Sequence, residues 1–407
     1  MTEHATRVIE LEEYKPTYLP VESLRSSVAE TIHRAYGSKI TVDPPSFKNG
    51  DCWGLTSQGW VGYIPVDEGL GLRINPKVPL RNIVRMLEYA YGLESLTFFD
   101  QLANSASLQD FFSELANILA RRVLDRGRRG FYKAYVELAD ALPFVRGRLS
   151  LQSLAKRPWS ARVDCEFDEH LADVRENQLL AWTLATILRS GLARKEVIPT
   201  VRRAYHTVQS FTSVVPFKGD TSRGWLYNRL NDDYEPLHAL CRFFLDHASP
   251  SHEHGPESTL PFLIDMARLF ERFVAEWLES HLPDNLALEV QENVRTGSDG
   301  EVRFVIDLVV YDIKDMSAQW VLDTKYKAQD GPSSDDVAQV VTYAQLKASD
   351  RAALVYPVAL AHPYVGHFRD VSVRSLTFSL ADDLEEGGNR FLASLTGYLG
   401  EQRNMGR

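Results

Sequence analysis

The chain has 407 residues, 44% hydrophobic and 25% charged, a mix that excludes disorder and fibrous repeats for most of its length and predicts two or three domains. Its 45 Lys and Arg stand against 55 Asp and Glu, and the net charge of -10 argues against a protein that coats nucleic acid by charge alone. Cys52, Cys165 and Cys241 are far apart and odd in number, so buried free thiols are expected rather than a disulfide framework or a CxxC zinc site.

The opening residues, MTEHATRVIELEEYKP, lack a basic region followed by an apolar one. No apolar run approaches the roughly 20 residues of a bilayer span. A soluble, cytoplasmic protein without membrane segments is expected.

In chain order, residues 1–95 read as a β-rich N-terminal region. Asn49-Gly50 is a hairpin signal, and Trp60–Pro65 and Leu72–Ile74 read as strands joined by a Gly-rich turn from Asp67 to Gly71. A short helix is expected over 22–36, and the apolar spacing of Leu80, Ile83, Val84, Leu87 and Ala90 predicts a helix over 80–91. Residues 96–255 read as mainly helical, with helices over 108–124, 178–192 and 235–247. A basic stretch from Arg121 to Arg157 lies among them. It reads either as a surface for phosphates or for an acidic partner, or as a solvated helix end and loop. Residues 248–260, ASPSHEHGPESTL, read as a polar linker, which places a third region at 256–407. His252 and His254 sit in that linker without a third ligand, so exposure is expected rather than a metal site.

Beyond the linker a helix is expected over 261–281, with Glu271 as its notable polar residue. Two apolar strands follow, near 302–311 and 319–326. A hairpin centred on Asp315 puts Asp307 opposite Asp323, with Cβ atoms about 4.5–5.5 Å apart. Lys325 points to the same side as Asp323. Two carboxylates that close repel unless a cation neutralises them, and Mg²⁺ takes one or two carboxylates with waters and phosphate oxygens. A lysine beside them can position or deprotonate the attacking water. Charges inside VRFVIDLVV and WVLDTKY are poor candidates for a surface salt-bridge cluster. Ser333 to Asp336 is a capping signal for a helix that carries Gln339 and Tyr343 four apart on one face. That helix also reads as an ordinary amphipathic one docking Val340, Ala344 and Leu346. Strands over 352–356 and 371–378 complete the region.

Asp307, then Asp323-Thr324-Lys325, then Gln339 to Tyr343 together resemble the PD-(D/E)xK nuclease core, the last piece being similar to the QxxxY motif of its RecB-like branch. Ile306 stands where that pattern has a proline. The resemblance implies Asp307 and Asp323 as metal ligands, with the Thr324 carbonyl as a third. It implies Lys325 as the residue orienting water, and Glu271 as the helix acid. Gly62–Pro65, Leu72–Val78, Met86–Tyr89, Phe167–Asp173 with Asn177, and Leu269–Val274 resemble the McrC family over about residues 60–380. That family implies the Mg²⁺-dependent nuclease subunit of a modification-dependent restriction system. Its partner is an McrB-like AAA+ hexamer that hydrolyses GTP under stimulation by the N-terminal part. Its substrate is double-stranded DNA carrying modified cytosine. The expected fold is therefore α+β and multidomain: a β-rich N-terminal region, a helical middle and a PD-(D/E)xK restriction-endonuclease-like α/β domain.

The chain has no GxxxxGK[ST] loop, so GTP is expected on the partner and not here. Two other functions fit less well: a non-catalytic adaptor that activates an AAA+ NTPase, and a stand-alone RecB-like nuclease. For His170 and Asp173 a structural role is expected. Arg223, Trp225, Tyr227 and Arg229 read equally as a stacking surface for a nucleotide or as core packing.

Overall fold

The computed structural model describes residues 7–67, 69–93, 107–149, 151–157, 159–191, 193–247, 261–296, 301–327, 331–381 and 383–405. The linker at 248–260, with His252 and His254, lies outside the described residues. The chain divides into two compact units, one made of Met1–Leu108 with Phe262–Arg407 and the other of Gln109–Pro261. Both mix helices and sheets.

The first unit opens with β1 (Arg7–Glu12), β2 (Thr17–Pro20), α1 (Ser26–Tyr36), β3 (Ile40–Asp43), β4 (Cys52–Ser57), β5 (Trp60–Asp67), β6 (Leu70–Asn75) and α2 (Leu80–Tyr91). β2, β4 and β3 form one sheet, while β1, β6 and β5 form another with β10 (Phe262–Asp265) at its edge. Ile9, Leu11, Ile32, Leu55, Ile64, Leu72 and Ile74 fill the core between them. The Asn49-Gly50 signal marks a longer connection than a two-residue turn. Asn49 accepts from the Ser46 amide (2.7 Å) and donates to the Pro44 carbonyl (2.8 Å), and Gly50 takes a left-handed φ of 66°.

The expected helix over 261–281 is corrected at its start. Phe262–Asp265 pairs antiparallel with β5, and α8 (Met266–His281) begins only where the Asp265 carboxylate caps the amides of Ala267 and Arg268 at 3.1 Å. An apolar tetrapeptide reads alike as strand or helix until its pairing partner is known.

After α8 the chain builds a six-stranded sheet in the order β11 (Leu286–Thr296), β12 (Val302–Asp312), β13 (Ala318–Thr324), β14 (Arg351–Tyr356), β16 (Val371–Thr377), β15 (Val365–Phe368). β11, β12 and β13 form an antiparallel meander. α9 (Ser334–Leu346) then crosses over so that β13 and β14 run parallel. Val337, Val340, Tyr343 and Ala344 of α9 pack on Val309, Val321, Leu354 and Val373. Ala352 to Tyr356 are all buried, so both faces of the sheet are covered. Phe273 and Trp277 of α8 meet Phe378, which also meets Phe391 of α10 (Leu384–Met405).

The second unit corrects the expectation of a mainly helical middle. Between α3 (Leu108–Arg129) and α5 (Arg175–Ser190) lies an antiparallel sheet of β7 (Ala134–Leu142), β9 (Val163–Leu171) and β8 (Arg148–Leu149), with the short α4 (Leu151–Lys156) in the connection. The basic stretch therefore spans a helix end, two strands and the short α4. Arg126 pairs with Asp233 (3.3 Å) and Arg146 with Glu169 (3.3 Å). α6 (Ile198–Gln209) and α7 (Glu235–His247) complete the unit. Asn177 donates to the carbonyls of Tyr132 and Ala172 and accepts from the Tyr234 hydroxyl. Asp173 accepts from Gln178, Thr212 and Ser213, and His170 stacks on Tyr135 at the surface. Half-buried Trp225 meets the edge of His238, and the hydroxyl of half-buried Tyr227 bonds its ring nitrogen. Cys165 and Cys241 are buried free thiols and Cys52 is partly exposed. Among the described residues no helix is long and apolar enough to cross a membrane.

Gly62 lies in the pairing of β5 with β10 at φ 135°, and a Cβ there would collide with the Phe262 carbonyl. Gly62→Val is therefore expected to cost about 1–3 kcal/mol. Thermal denaturation checks this; an unchanged midpoint would contradict the φ assigned to this glycine.

Candidate active site

The sheet brings the sequence-predicted acids together where β12 and β13 part. Their ladder runs Val310↔Trp320, Val309↔Val321 and Leu308↔Leu322, so the next positions are Asp307 and Asp323. This is the register expected from a symmetric hairpin. A bulge does occur, but at Val310/Tyr311 on the turn side, where it leaves the acids in register. Asp307 then takes over the role of backbone partner. Its Oδ2 accepts from the Thr324 amide at 3.0 Å and from the Thr324 hydroxyl at 3.2 Å. Thr324 thus enters the site as a donor to Asp307.

Asp323 is 1% exposed, and its Oδ2 lies 2.6 Å from Lys325 Nζ. Lys325 also donates to Gln339 Oε1 at 3.1 Å and lies 3.6 Å from Asp336. Gln339 in turn donates to the Tyr343 hydroxyl at 2.8 Å. The crossover helix α9 therefore holds the lysine through one face, on which Gln339 and Tyr343 lie four apart. Ser333 caps that helix by accepting from the Asp336 amide at 3.1 Å.

Two residues at this site were not singled out by the sequence. Asp336 reads there as a capping acid; in the fold it is buried and binds Lys327 at 2.9 and 3.2 Å. Gln291 lies in β11 between the pairs Val290↔Leu308 and Glu292↔Ile306, with a left-handed φ of 53°. Its side-chain amide donates to Glu271. The sequence offered no signal for it, because the polar residues around it conceal the strand.

The charges do not balance. Burial first, and then the charge of Asp307, push the Asp323 carboxyl up to about 7 despite Lys325. Burial and the same aspartate push Glu271 up to about 7, against the Gln291 hydrogen bond. Burial raises Asp307 too, opposed by Thr324 and Lys325. Asp336 is held low, because the hydrogen bonds from Lys327 and Ser333 and the charge of Lys325 outweigh its burial. Burial works against the Lys325 charge, but Asp323, Asp336 and Asp307 overcome it and raise its pKa. Lys325 therefore stays protonated and acts as a positioned cation and donor.

Among the described residues no three His, Cys, Asp or Glu side chains group closely enough to hold a metal on their own. Two buried carboxylates with too little positive charge nevertheless fit a divalent ion that keeps most of its waters, as Mg²⁺ does. The donor set suits that ion better than zinc, for which Cys and His are the usual ligands.

The pH dependence follows from these shifts. A carboxyl raised in the fold contributes stability that is complete below its unfolded pKa near 4 and is lost as pH rises through about 7. Asp323→Asn escapes that loss. Its melting temperature relative to wild type is expected to rise between pH 5 and 8.5 in metal-free buffer. Paired thermal melts at several pH values test this, and a difference that stays flat would contradict the raised pKa.

A family profile described as McrBC 5-methylcytosine restriction system component matches residues 55–357, well over half of the chain. The Type IV methyl-directed restriction enzyme EcoKMcrBC of Escherichia coli (strain K12) is 22% identical over 219 residues. That match covers 51% of this chain and 60% of the relative, so the chain spans less than two thirds of it. Among solved structures, a refined half-complex from the tetradecameric assembly of Thermococcus gammatolerans McrB AAA+ hexamers with bound McrC aligns with a TM-score of 0.59 and 16% identity, covering 96% of this chain and 100% of that one. This is a likeness of fold. The cryo-EM structure of the Thermococcus gammatolerans McrBC complex aligns with a TM-score of 0.42 and 17% identity over 67% of this chain and 87% of that one.

Proposed function

Since the chain belongs to the McrBC family of 5-methylcytosine restriction system components, we propose that it is the McrC-type, DNA-cutting subunit of such a system. In this reading the region 256–407 carries a PD-(D/E)xK nuclease domain that hydrolyses phosphodiester bonds of double-stranded DNA carrying modified cytosine. An McrB-like AAA+ GTPase hexamer recognises the modification and delivers the DNA, and this chain stimulates its GTP hydrolysis. The observation that carries the nuclease reading is the convergence of Asp307, Asp323 and Lys325 at one buried end of a β-ladder.

Asp307 and Asp323 would hold Mg²⁺, and the Thr324 carbonyl completes the set by resemblance. When bound, that ion supplies Lewis-acid stabilisation of the charge that develops on the attacked phosphate. The protein's own groups do the rest. Thr324 fixes the Asp307 carboxylate through two hydrogen bonds. Lys325, held by Asp323 and Gln339, orients the attacking water and keeps its own proton. Tyr343 supports Gln339. Glu271, held near neutrality by its buried setting, is placed to take up or release a proton close to physiological pH.

The adaptor reading keeps GTPase stimulation and drops the cutting. A buried Asp323 paired with Lys325 favours catalysis, because two well-packed apolar residues would be as stable there or more so.

The test is cleavage of methylated and unmethylated plasmid by this protein with its AAA+ partner, GTP and Mg²⁺. Asp323→Ala and Lys325→Ala are expected to lower cutting by roughly 10³-fold or more while the partner's GTP hydrolysis stays stimulated. Methylation-dependent cutting that survives in both variants would sink the nuclease assignment. Stimulation of GTP hydrolysis without any cutting by wild type would establish the adaptor instead.

A further inference from the structure

Lys325 is held at its tip by the acids of the site, but its backbone lies past the end of the strand. β13 ends at Thr324, and Lys325 keeps one sheet-like bond, from its amide to the Val355 carbonyl at 2.8 Å. Beyond it stands Tyr326, only 3% exposed. Tyr326 is gripped from the N-terminal part of the same unit. The Tyr14 hydroxyl donates to the Tyr326 carbonyl at 2.8 Å. The Tyr326 hydroxyl donates to Glu13 Oε2 at 3.2 Å, and the Lys77 amide donates to the same oxygen at 3.3 Å. Lys77 Nζ lies 4.6 Å from the ring centroids of both Tyr14 and Tyr326. Phe270, the residue before Glu271, meets the Tyr326 ring with centroids 6.0 Å apart.

This cluster is costly for a purely structural contact. Glu13 is 4% exposed, and packing apolar side chains in its place would be as stable or more so. What a hydrogen-bonded polar cluster adds over apolar packing is a fixed geometry. Here the fixed element is the residue next to the lysine of the site and the helix that carries Glu271. Lys77 belongs to the Asn75-Pro76-Lys77-Val78 stretch that the sequence singles out and that no step of the chemistry above uses.

We propose that Glu13, Tyr14 and Lys77 are positioning residues for the nuclease site, clamping Tyr326 so that Lys325 stays aligned with Asp323. The proposal rests on the nuclease reading above. The clamp also gives the N-terminal sheets a direct mechanical hold on the site.

Two readouts test it. The first is amide hydrogen exchange of the peptide containing Lys325 in the full chain without partner or DNA. The second is single-turnover cleavage of methylated plasmid with the AAA+ partner, GTP and Mg²⁺, read as maximal rate and as the DNA concentration giving half of it. The variants are Tyr14→Phe, Lys77→Met and the conservative Lys77→Arg. Lys39→Met is the control, since it removes a cation from an aromatic ring outside the clamp, that of Trp60, over which Lys39 Nζ lies at 4.5 Å.

Tyr14→Phe and Lys77→Met are expected to speed exchange at Lys325 by roughly tenfold. They should slow the maximal cleavage rate by roughly 10- to 100-fold with the half-saturating DNA concentration unchanged. Lys77→Arg recovers most of both, and Lys39→Met changes neither. Wild-type exchange at Lys325 in Tyr14→Phe and Lys77→Met would overturn the clamp. So would faster exchange with undiminished cleavage. If wild type itself does not cut, the nuclease reading fails separately, and exchange alone decides whether the clamp holds Lys325.

Discussion

The repulsion between Asp307 and Asp323 is the constraint around which the first unit is arranged. Ile306, Leu308, Val309, Val321 and Leu322 around them are fully buried, so little water is available to screen the two charges. The strands are locked in register on the turn side and cannot move the carboxylates apart. Lys325 neutralises part of the charge, yet it is shared with Asp336. Glu271 adds a further acid that feels Asp307 and Asp323. The deficit of positive charge is built into the fold, and a proton on a carboxyl raised to about 7 relieves it, as a bound cation does in the proposed reading.

The supporting elements make sense as devices for holding that unfavourable arrangement in place. The α9 crossover follows from placing β14 parallel to β13, since parallel neighbours need a long connection. It brings Gln339 and Asp336 to Lys325. The interruption at Gln291 frees one side chain to reach Glu271. Tyr326 continues the same logic past the end of β13, where the Lys325 amide keeps a single sheet-like bond to the Val355 carbonyl.

The central pair was legible because it obeys local rules. Two apolar strands separated by one short polar turn define a register, and charged residues inside such strands stand out against their neighbours. Gln339 and Tyr343 were legible through helical spacing behind a capping signal. What escaped depends on partners distant in sequence. Phe262–Asp265 is a strand because β5 lies beside it, and nothing in those four residues says so. β11 carries polar residues at Glu289, Gln291, Glu292 and Asn293, which hide its strand character. In the second unit, β7 alternates half-buried Ala134, Val136 and Leu138 with exposed Tyr135, Glu137 and Ala139, a pattern with few strongly apolar residues on either face. The Tyr14–Tyr326 bond joins residues 312 positions apart, a separation that no periodicity can span.

A contrast within the chain separates structural acids from the acids of the site. Asp173, in the second unit, is held by hydrogen bonds from the Ser213 amide and from the side chains of Gln178, Thr212 and Ser213. Burial would raise its carboxyl, but those donors outweigh burial and hold it well below the usual carboxylate range. Here the fold surrounds an acid with neutral donors and makes its ionised form the stable one. Asp323 is more buried, yet its Oδ2 faces only a lysine that other acids share, and its carboxyl rises to about 7. Asp307 is given two donors, both from Thr324, and rises as well. The same chain thus satisfies a carboxylate fully where it ties helices and loops together and leaves two carboxylates under-satisfied where β12 and β13 part. Backbone amides and hydroxyls are available throughout the fold, so the difference is one of arrangement. An arrangement that withholds donors from buried acids keeps their oxygens open to a ligand of positive charge.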